Sequence, residues 1–514
     1  MSLGLAAMVM AGSVFLSRFM GLIRDKVISY YHGAGGEADI YFTSFVVPDF
    51  INYLLAGGYF SITLIPMLAG CFARDEDSAW RLFSAVFWWV IIISLVFTSL
   101  AALLADPLAQ LIGPGYTPEL QTRLAFFLRI ILPAQVFFLP GACLTAILYI
   151  RRQFMIPALT PLVYNGAIIL GGLFLADKGM EGLCWGVLAG AFLGSFVLPL
   201  WAVWRGGLRL GLHFRHSLLP RLVLLALPLM LGQSLVALDE QFARIFGSIS
   251  GEGAVSLLNY ARRIMQVPVG VVAQAAGVAS YPFLAALAAS GERDKFDSSL
   301  NQALINTVLV ALPLSLWMLV SAEPIMRLIF QQGHFTAGAA SQSGVLLAIM
   351  LVGVSVWAVQ QVVGRAFYAH QDTFTPALAG TGATLAALPV YWFGAKIFGA
   401  AGVAVAGLWG VLLYAGALCL IWRKRFGGNA LSGLGARAGG SLMACLPACA
   451  AAYAAMSGVG RFWPELSLWG AACKIGTGGL AFALVYLLLC LAFAPALCAP
   501  LRAFATRARK RLPM

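Results

Sequence analysis

The 514-residue chain is short of charge: only 10% of its residues are Asp, Glu, Lys or Arg, and five are histidine. A soluble domain carries about 25% charged residues, so an ordinary globular enzyme is excluded. The chain also lacks a P-loop, a dinucleotide fingerprint and a nucleophile elbow, which disfavours an ATP-driven pump. None of its nine cysteines forms C-x-x-C. Most of them, such as Cys143, Cys184, Cys419 and Cys490, lie in apolar runs, where cysteine packs as a small hydrophobe. His213 and His216 share a basic loop with no acidic or cysteine partner, too little for a metal site. Long hydrophilic stretches are absent too. The net charge of +13 is therefore scattered over short gaps, none able to fold a nucleic-acid module.

What is present is apolar. Hydrophobic residues make up 61% of the chain, with mean hydropathy +0.89, which rules out a disordered protein. A lipid crossing takes about 20 apolar residues. The uninterrupted runs favour helices over barrel strands, which alternate over about 10 residues. The expected fold is an all-α polytopic membrane protein with about 14 transmembrane helices. The spans start near Leu5, Ala38, Ala79, Glu119, Gln153, Gly182, Ser217, Ala254, Ser298, Ala339, Thr373, Ala400, Gly439 and Leu466. Pro48, Pro133, Pro268 and Pro389 fall within spans and predict kinks. Met1–Leu16 has no basic leader and reads as the start of a retained helix.

Basic residues orient the chain. A cytoplasmic N-terminus places Arg74, Arg81, Arg151, Arg152, Arg205, Arg209, Arg215, Arg221, Arg293, Lys295, Arg423, Lys424, Arg425 and Arg437 inside. Only Lys178, Arg244, Arg327, Lys396, Arg461 and Lys474 then face outside. Both termini are expected in the cytoplasm, with residues 501–514 a basic tail beside anionic lipid. Arg74-Asp75-Glu76-Asp77 reads as a solvated face. A weak internal echo also exists. Asp25, the gap Gly35-Gly36-Glu37 and Pro66 are followed, about 216 residues later, by Asp239, Gly251-Glu252-Gly253 and Pro282. Two like-oriented lobes of six helices fit that echo.

Polar residues inside spans carry the functional signal, because a charge at mid-bilayer costs about 2.5–3.5 kcal/mol or more. Ser17, Arg18, Gly21, Arg24, Asp25 and Ser29 fall in one stripe of helix one, roughly 140° wide. In helix eight, Asn259, Arg263, Gln266, Gly270 and Gln274 form a lane at i, i+4, i+7, i+11 and i+15. Helix seven adds Gln233, Ser234, Asp239, Glu240 and Arg244, with Glu240 and Arg244 a ready i, i+4 pair. Helix two adds Asp39, Asp49 and Asn52; helix ten adds Gln360, Gln361 and Arg365. Together they outline a wet cavity between two lobes. Within it Arg18, Arg24, Arg262 and Arg263 outnumber Asp25 and Asp39, and a surplus of guanidinium favours a phosphate-bearing cargo, such as a pyrophosphate on a lipid carrier.

Five segments give the chain a resemblance to a known family. They are Ser17-Arg18-Phe19-Met20-Gly21-Leu22-Ile23-Arg24-Asp25, Asp39 with Pro48, Tyr260 through Pro268, Gly333-His334-Phe335-Thr336, and Ala366 through Pro376. Over about residues 5–495 the sequence resembles the MurJ (MviN) lipid II flippases of the MOP exporter superfamily. The resemblance implies a fourteen-helix protein of the bacterial inner membrane. It would have an N-terminal lobe over 1–212, a C-terminal lobe over 213–426, and two extra helices over 427–500. It also implies outward movement of undecaprenyl-pyrophosphate-linked peptidoglycan precursor by alternating access, with cell-wall synthesis proteins as further partners beside membrane lipids. The family's cavity arginines match Arg18, Arg24 and Arg263, and its cavity aspartate matches Asp39. Asn52 stands where members commonly carry arginine, Gly57-Gly58 where a Glu-Gly pair is expected, and Arg262 where an acid is usual. Asp25, Asn52, Arg262 and Gln266 complete the expected substrate-binding set. Asp239 and Glu240 are the ion-coupling candidates, with no cofactor and a membrane potential or ion gradient as energy source. A flippase for another polyprenyl-linked saccharide is the allied alternative. A multidrug antiporter of the superfamily should show an acidic cavity, and a membrane enzyme acting on polyprenyl phosphates would need clustered metal-binding acids or a general base.

Overall fold

The computed structural model describes residues 3–55, 59–225, 238–462 and 468–493. Among these residues the chain is all-α, and nine helices are long and apolar enough to cross a membrane. Two compact units form, residues 1–256 and 257–514. The lobe boundary expected at 212/213 follows the basic connector. Packing carries the first unit on to Ser256, because the helix Leu238–Ser248 joins Val46–Leu55 through an Arg244–Asp49 ion pair of 2.8 Å.

In the first unit, Leu3–His32 lies along Met155–Phe174, where the Ser13 hydroxyl donates to the Ala158 carbonyl at 2.6 Å. A row of glycines lets Met155–Phe174 and the segment from Met180 to Val197 approach closely. A Cβ at Gly186 would sit 2.7 Å from the Ala167 carbonyl oxygen, and one at Gly190 would sit 2.8 Å from that of Tyr164. Gly182, Gly186, Gly190 and Gly194 repeat every four residues, so one helix face is nearly bare backbone. A core of Leu64, Leu68, Phe83, Phe87, Leu144 and Ile147 lies between the neighbouring helices. The basic connector is tied to Glu76–Leu103: the indoles of Trp88 and Trp89 donate to the carbonyls of Gly211 and Phe214, each at 3.0 Å, and Arg209 pairs with Asp77. Leu218 N–H donates to His216 Nδ1, so Nε2 carries the proton and donates to Ser78 Oγ at 3.1 Å. In the acidic run Arg74–Asp77, Asp75 also caps that helix through Asp77 N–H.

In the second unit, Arg293–Val320 packs against Val354–Ala369 and Leu434–Phe462, and Ile305, Leu309, Cys445, Phe482 and Tyr486 share one core with the last helix, Leu468–Phe493. The two extra helices thus rest on this unit. Three of the four span prolines sit at breaks. Pro48 follows the interruption at Ser44–Phe45, Pro133 lies in a 3₁₀ turn, and Pro268 opens a π-helical turn over 269–274. Pro389 does not break its helix. The interruption in Phe374–Phe426 falls instead at Gly399, whose φ of +59° only glycine adopts readily. Residues 226–237 in the middle of helix seven, with Gln233 and Ser234, the pair Gly57-Gly58, and the basic tail lie outside the described residues.

Two family segments prove to be helix-start devices. In Gly333-His334-Phe335-Thr336, Phe335 is buried against Tyr260 and Phe330, and the Thr336 hydroxyl caps Ala337–Val352. In the segment ending at Pro376, Asp372 accepts from Thr375 N–H at 2.9 Å, from its hydroxyl at 2.7 Å, and from Arg425. Burial opposes the charge on Asp372, yet these donors prevail and hold its carboxyl below the ordinary value. Its stabilisation is therefore present above the ordinary carboxylate range and disappears as pH falls through the depressed value. Asp372→Ala should lower stability by about 0.5–2 kcal/mol at pH 7 and by much less near pH 2, read by denaturant unfolding in detergent. Gly186→Leu should cost about 1–3 kcal/mol or prevent folding, while Gly166→Ala, with open space at its Cβ, should leave the melting temperature of the purified protein unchanged.

Candidate functional site

On helix Leu3–His32 the polar stripe contains two environments. Arg18 is exposed, whereas Asp25 is fully buried. Adjacent helical residues point about 100° apart, so Arg24 must curl back to reach Asp25. It does so with Nε at 3.0 Å and Nη2 at 2.9 Å from one carboxylate oxygen, while Nη1 donates to Asn165 Oδ1 at 3.3 Å. Asn165 is itself held by donating Nδ2 to the Pro161 carbonyl. Arg24 keeps a single orientation, with Tyr41 and Tyr164 beside it.

Asp39 is also fully buried, and its oxygens are occupied by backbone. One accepts from Gly253 N–H at 2.6 Å and the other from Ser256 N–H at 2.7 Å, so Asp39 caps the helix Ala254–Pro268. The exchange is reciprocal: Glu252 Oε1 accepts from Gly36 N–H at 2.9 Å, at the start of the helix Gly36–Thr43. The two Gly–Glu turns that echo each other in sequence therefore interlock. Their glycines are required by the close approach, since a Cβ at Gly36 would meet Leu120 at 3.1 Å and Glu252 at 3.2 Å. Gly253 has φ +85°. Tyr116 closes the surroundings through a 2.7 Å hydrogen bond between its hydroxyl and that of Thr43.

The expected pair of Glu240 and Arg244 forms at 2.7 Å, and Asp49 completes it on the other side of the guanidinium at 2.8 Å. Glu240 is thus half of a shared ion pair. Asp239 is half-buried on the same helix. Asn52 is half-buried on Val46–Leu55.

The helix Ala254–Pro268 divides as its sequence predicts. Tyr260, Ala261, Ile264 and Met265 are buried, Tyr260 against Phe330 at 5.1 Å. Asn259, Arg262, Arg263, Gln266 and Gly270 are all less buried than that apolar face. In the same unit Arg365 lies over Gly277, its Nε buried without a hydrogen-bond partner. Such a lane offers anionic ligands guanidinium forks and amide donors on one side.

The family model of the lipid II flippase MurJ matches residues 28–470. The chain belongs to the MurJ lipid II flippase family. A curated relative, a probable lipid II flippase MurJ of Rhizobium meliloti (strain 1021), is 30% identical over 378 residues, covering 71% of this chain and 70% of its own. A solved lipid II flippase MurJ in an inward closed conformation superposes with TM-score 0.78 at 22% identity, covering 95% of this chain and 99% of that one. An inward-facing multidrug resistance MATE family transporter of the MOP superfamily reaches TM-score 0.66 at 15% identity, over 81% of this chain and 96% of that one. These likenesses show that the chain shares the fold of both solved structures.

Sequence reasoning missed Asn165 as the partner of Arg24. An asparagine inside an apolar span was the available signal. Ser256 was missed as well, since an N-terminal backbone amide carries no mark in sequence. Arg24→Ala strips the buried Asp25 of its guanidinium and should destabilise by about 3–5 kcal/mol, with the double variant Arg24→Ala/Asp25→Ala recovering part of the loss in denaturant melts.

Proposed function

We propose that the chain carries lipid II, the undecaprenyl-pyrophosphate-linked peptidoglycan precursor, from the inner to the outer leaflet of the bacterial cytoplasmic membrane by alternating access, with both termini in the cytoplasm. The observation that carries this reading is the half-buried lane of Asn259, Arg262, Arg263 and Gln266 opposite a fully packed apolar face. A helix surrounded by lipid would not leave two arginines on its less buried side. Arg18, Arg24, Arg262, Arg263 and Gln266 are the proposed substrate-binding residues, with Arg262 replacing the charge lost at Asn52. Asp39 acts differently from these arginines. With both oxygens bound to backbone it serves as a latch, and a conformational cycle that parts the two Gly–Glu turns must give water or cargo three donors now held by carboxylates. The driving force is a membrane potential or ion gradient acting on embedded acids, of which Asp239 is the first candidate, since Glu240 is engaged by Arg244.

Depletion of the protein in its own cells should accumulate lipid II on the cytoplasmic leaflet. Re-expression should clear it, Arg263→Ala should not, and Arg262→Asp should clear it at least tenfold more slowly, as loss of about 1.4 kcal/mol of phosphate attraction requires. Accumulation of a different undecaprenyl-linked saccharide would transfer the assignment to that cargo. No accumulation of any lipid-linked saccharide would refute it.

A further inference from the structure

Away from the polar lane, at the ends of three helices of the second unit, lies a cavity of about 210 Å³ lined by Arg293, Phe296, Asp297, His370, Trp422 and Phe426 with a few aliphatic neighbours. Its walls are aromatic: Phe296 stacks on Trp422 at 5.9 Å, His370 on Phe426 at 4.7 Å, and Trp422 meets Phe426 at 4.5 Å. One buried polar atom in this lining is unsatisfied, and a carboxylate beside it makes no hydrogen bond. Asp297 is 7% exposed as a residue and, among the described residues, makes no hydrogen bond and no ion pair within 4 Å, although it lies in the field of the Arg293 guanidinium. Trp422 is fully buried and its Nε1–H has no acceptor. Arg425 is engaged by Asp372, and Arg293 gives Nη2 to the Phe426 carbonyl at 2.6 Å, leaving other guanidinium N–H groups for the exposed rim. Burial holds the His370 imidazole below its ordinary value, so it is neutral near pH 7 and supplies no cation to Asp297.

A carboxylate that makes no hydrogen bond, set among aromatic rings at the mouth of a cavity, attracts a cation, and the aromatic faces add to the attraction of an ammonium. A guanidinium at the rim and a free indole N–H call for an acceptor, of which phosphate is the strongest. One molecule meets both demands if its ammonium and phosphate are a few ångströms apart. The cavity is smaller than the roughly 300–1,000 Å³ of a pocket that encloses a whole drug-sized ligand, so it takes a head group. Lys295, Arg423 and Lys424 stand at the same helix ends, the depth at which basic side chains meet lipid head groups. We propose that this cavity binds the aminoethyl-phosphate head group of a membrane phospholipid, its ammonium on Asp297 among Phe296, Trp422 and Phe426, and its phosphate at Arg293.

Native mass spectrometry of the full chain in detergent with equal phosphatidylethanolamine and phosphatidylglycerol tests this. At least about five-fold more phosphatidylethanolamine should survive on the protein, falling to parity in Asp297→Asn with phosphatidylglycerol adducts unchanged. Arg293→Gln, with its fold checked by an unchanged melting temperature, should shorten retention of phosphatidylethanolamine. Equal retention of the two lipids, or full selectivity in both variants, overturns the proposal. Soluble O-phosphoethanolamine is the second arm: saturation by it in protein showing no preference for phosphatidylethanolamine would assign the cavity to a free metabolite and overturn the lipid.

Discussion

A buried backbone amide must find an acceptor, because neither lipid nor packed protein supplies water in its place. The ends of helices are where this constraint bites, since each leaves several N–H groups unpaired. In the first unit it is met by two carboxylates that cross over: Asp39 serves the turn at Gly253–Ser256, and Glu252 serves the turn at Gly36. Each acid lies on one Gly–Glu turn and caps the other. The consequence is a joint held by charge-assisted hydrogen bonds to backbone. Charge-assisted bonds of this kind are stronger than those between neutral groups.

The other membrane-embedded charges separate by the same logic. Arg24 is held by Asp25 and Asn165, and Arg244 by Asp49 and Glu240. Arg262, Arg263 and Gln266 occupy the less buried side of a helix whose other side is locked by Tyr260 against Phe330 and Phe335. Aromatic packing on one face thus sets where the polar groups of the opposite face stand.

Small residues decide how near the backbones come. The glycines at 182, 186, 190 and 194 remove side chains where Met155–Phe174 must fit, and Gly394 and Gly402 allow a comparably close approach beside the break at Gly399. A membrane protein gains little from hiding apolar surface from lipid, which is itself apolar, so close van der Waals contact of this kind holds its helices together. The family segments Gly333–Thr336 and Ala366–Pro376 serve the same end by starting helices at defined places.

Apolar run length settled the all-α membrane class, and periodicity settled which side of Ala254–Pro268 packs, because both depend only on the order of residues along a helix. The i, i+4 pair of Glu240 and Arg244 was legible for the same reason. Asn165 reaching Arg24 across 141 positions, Asp49 completing the Arg244 pair, and the interlock of turns 216 residues apart were not. Nor was the break at Gly399 rather than Pro389. Those depend on which helices become neighbours and on which backbone amides are left without water, and only the assembled chain decides that.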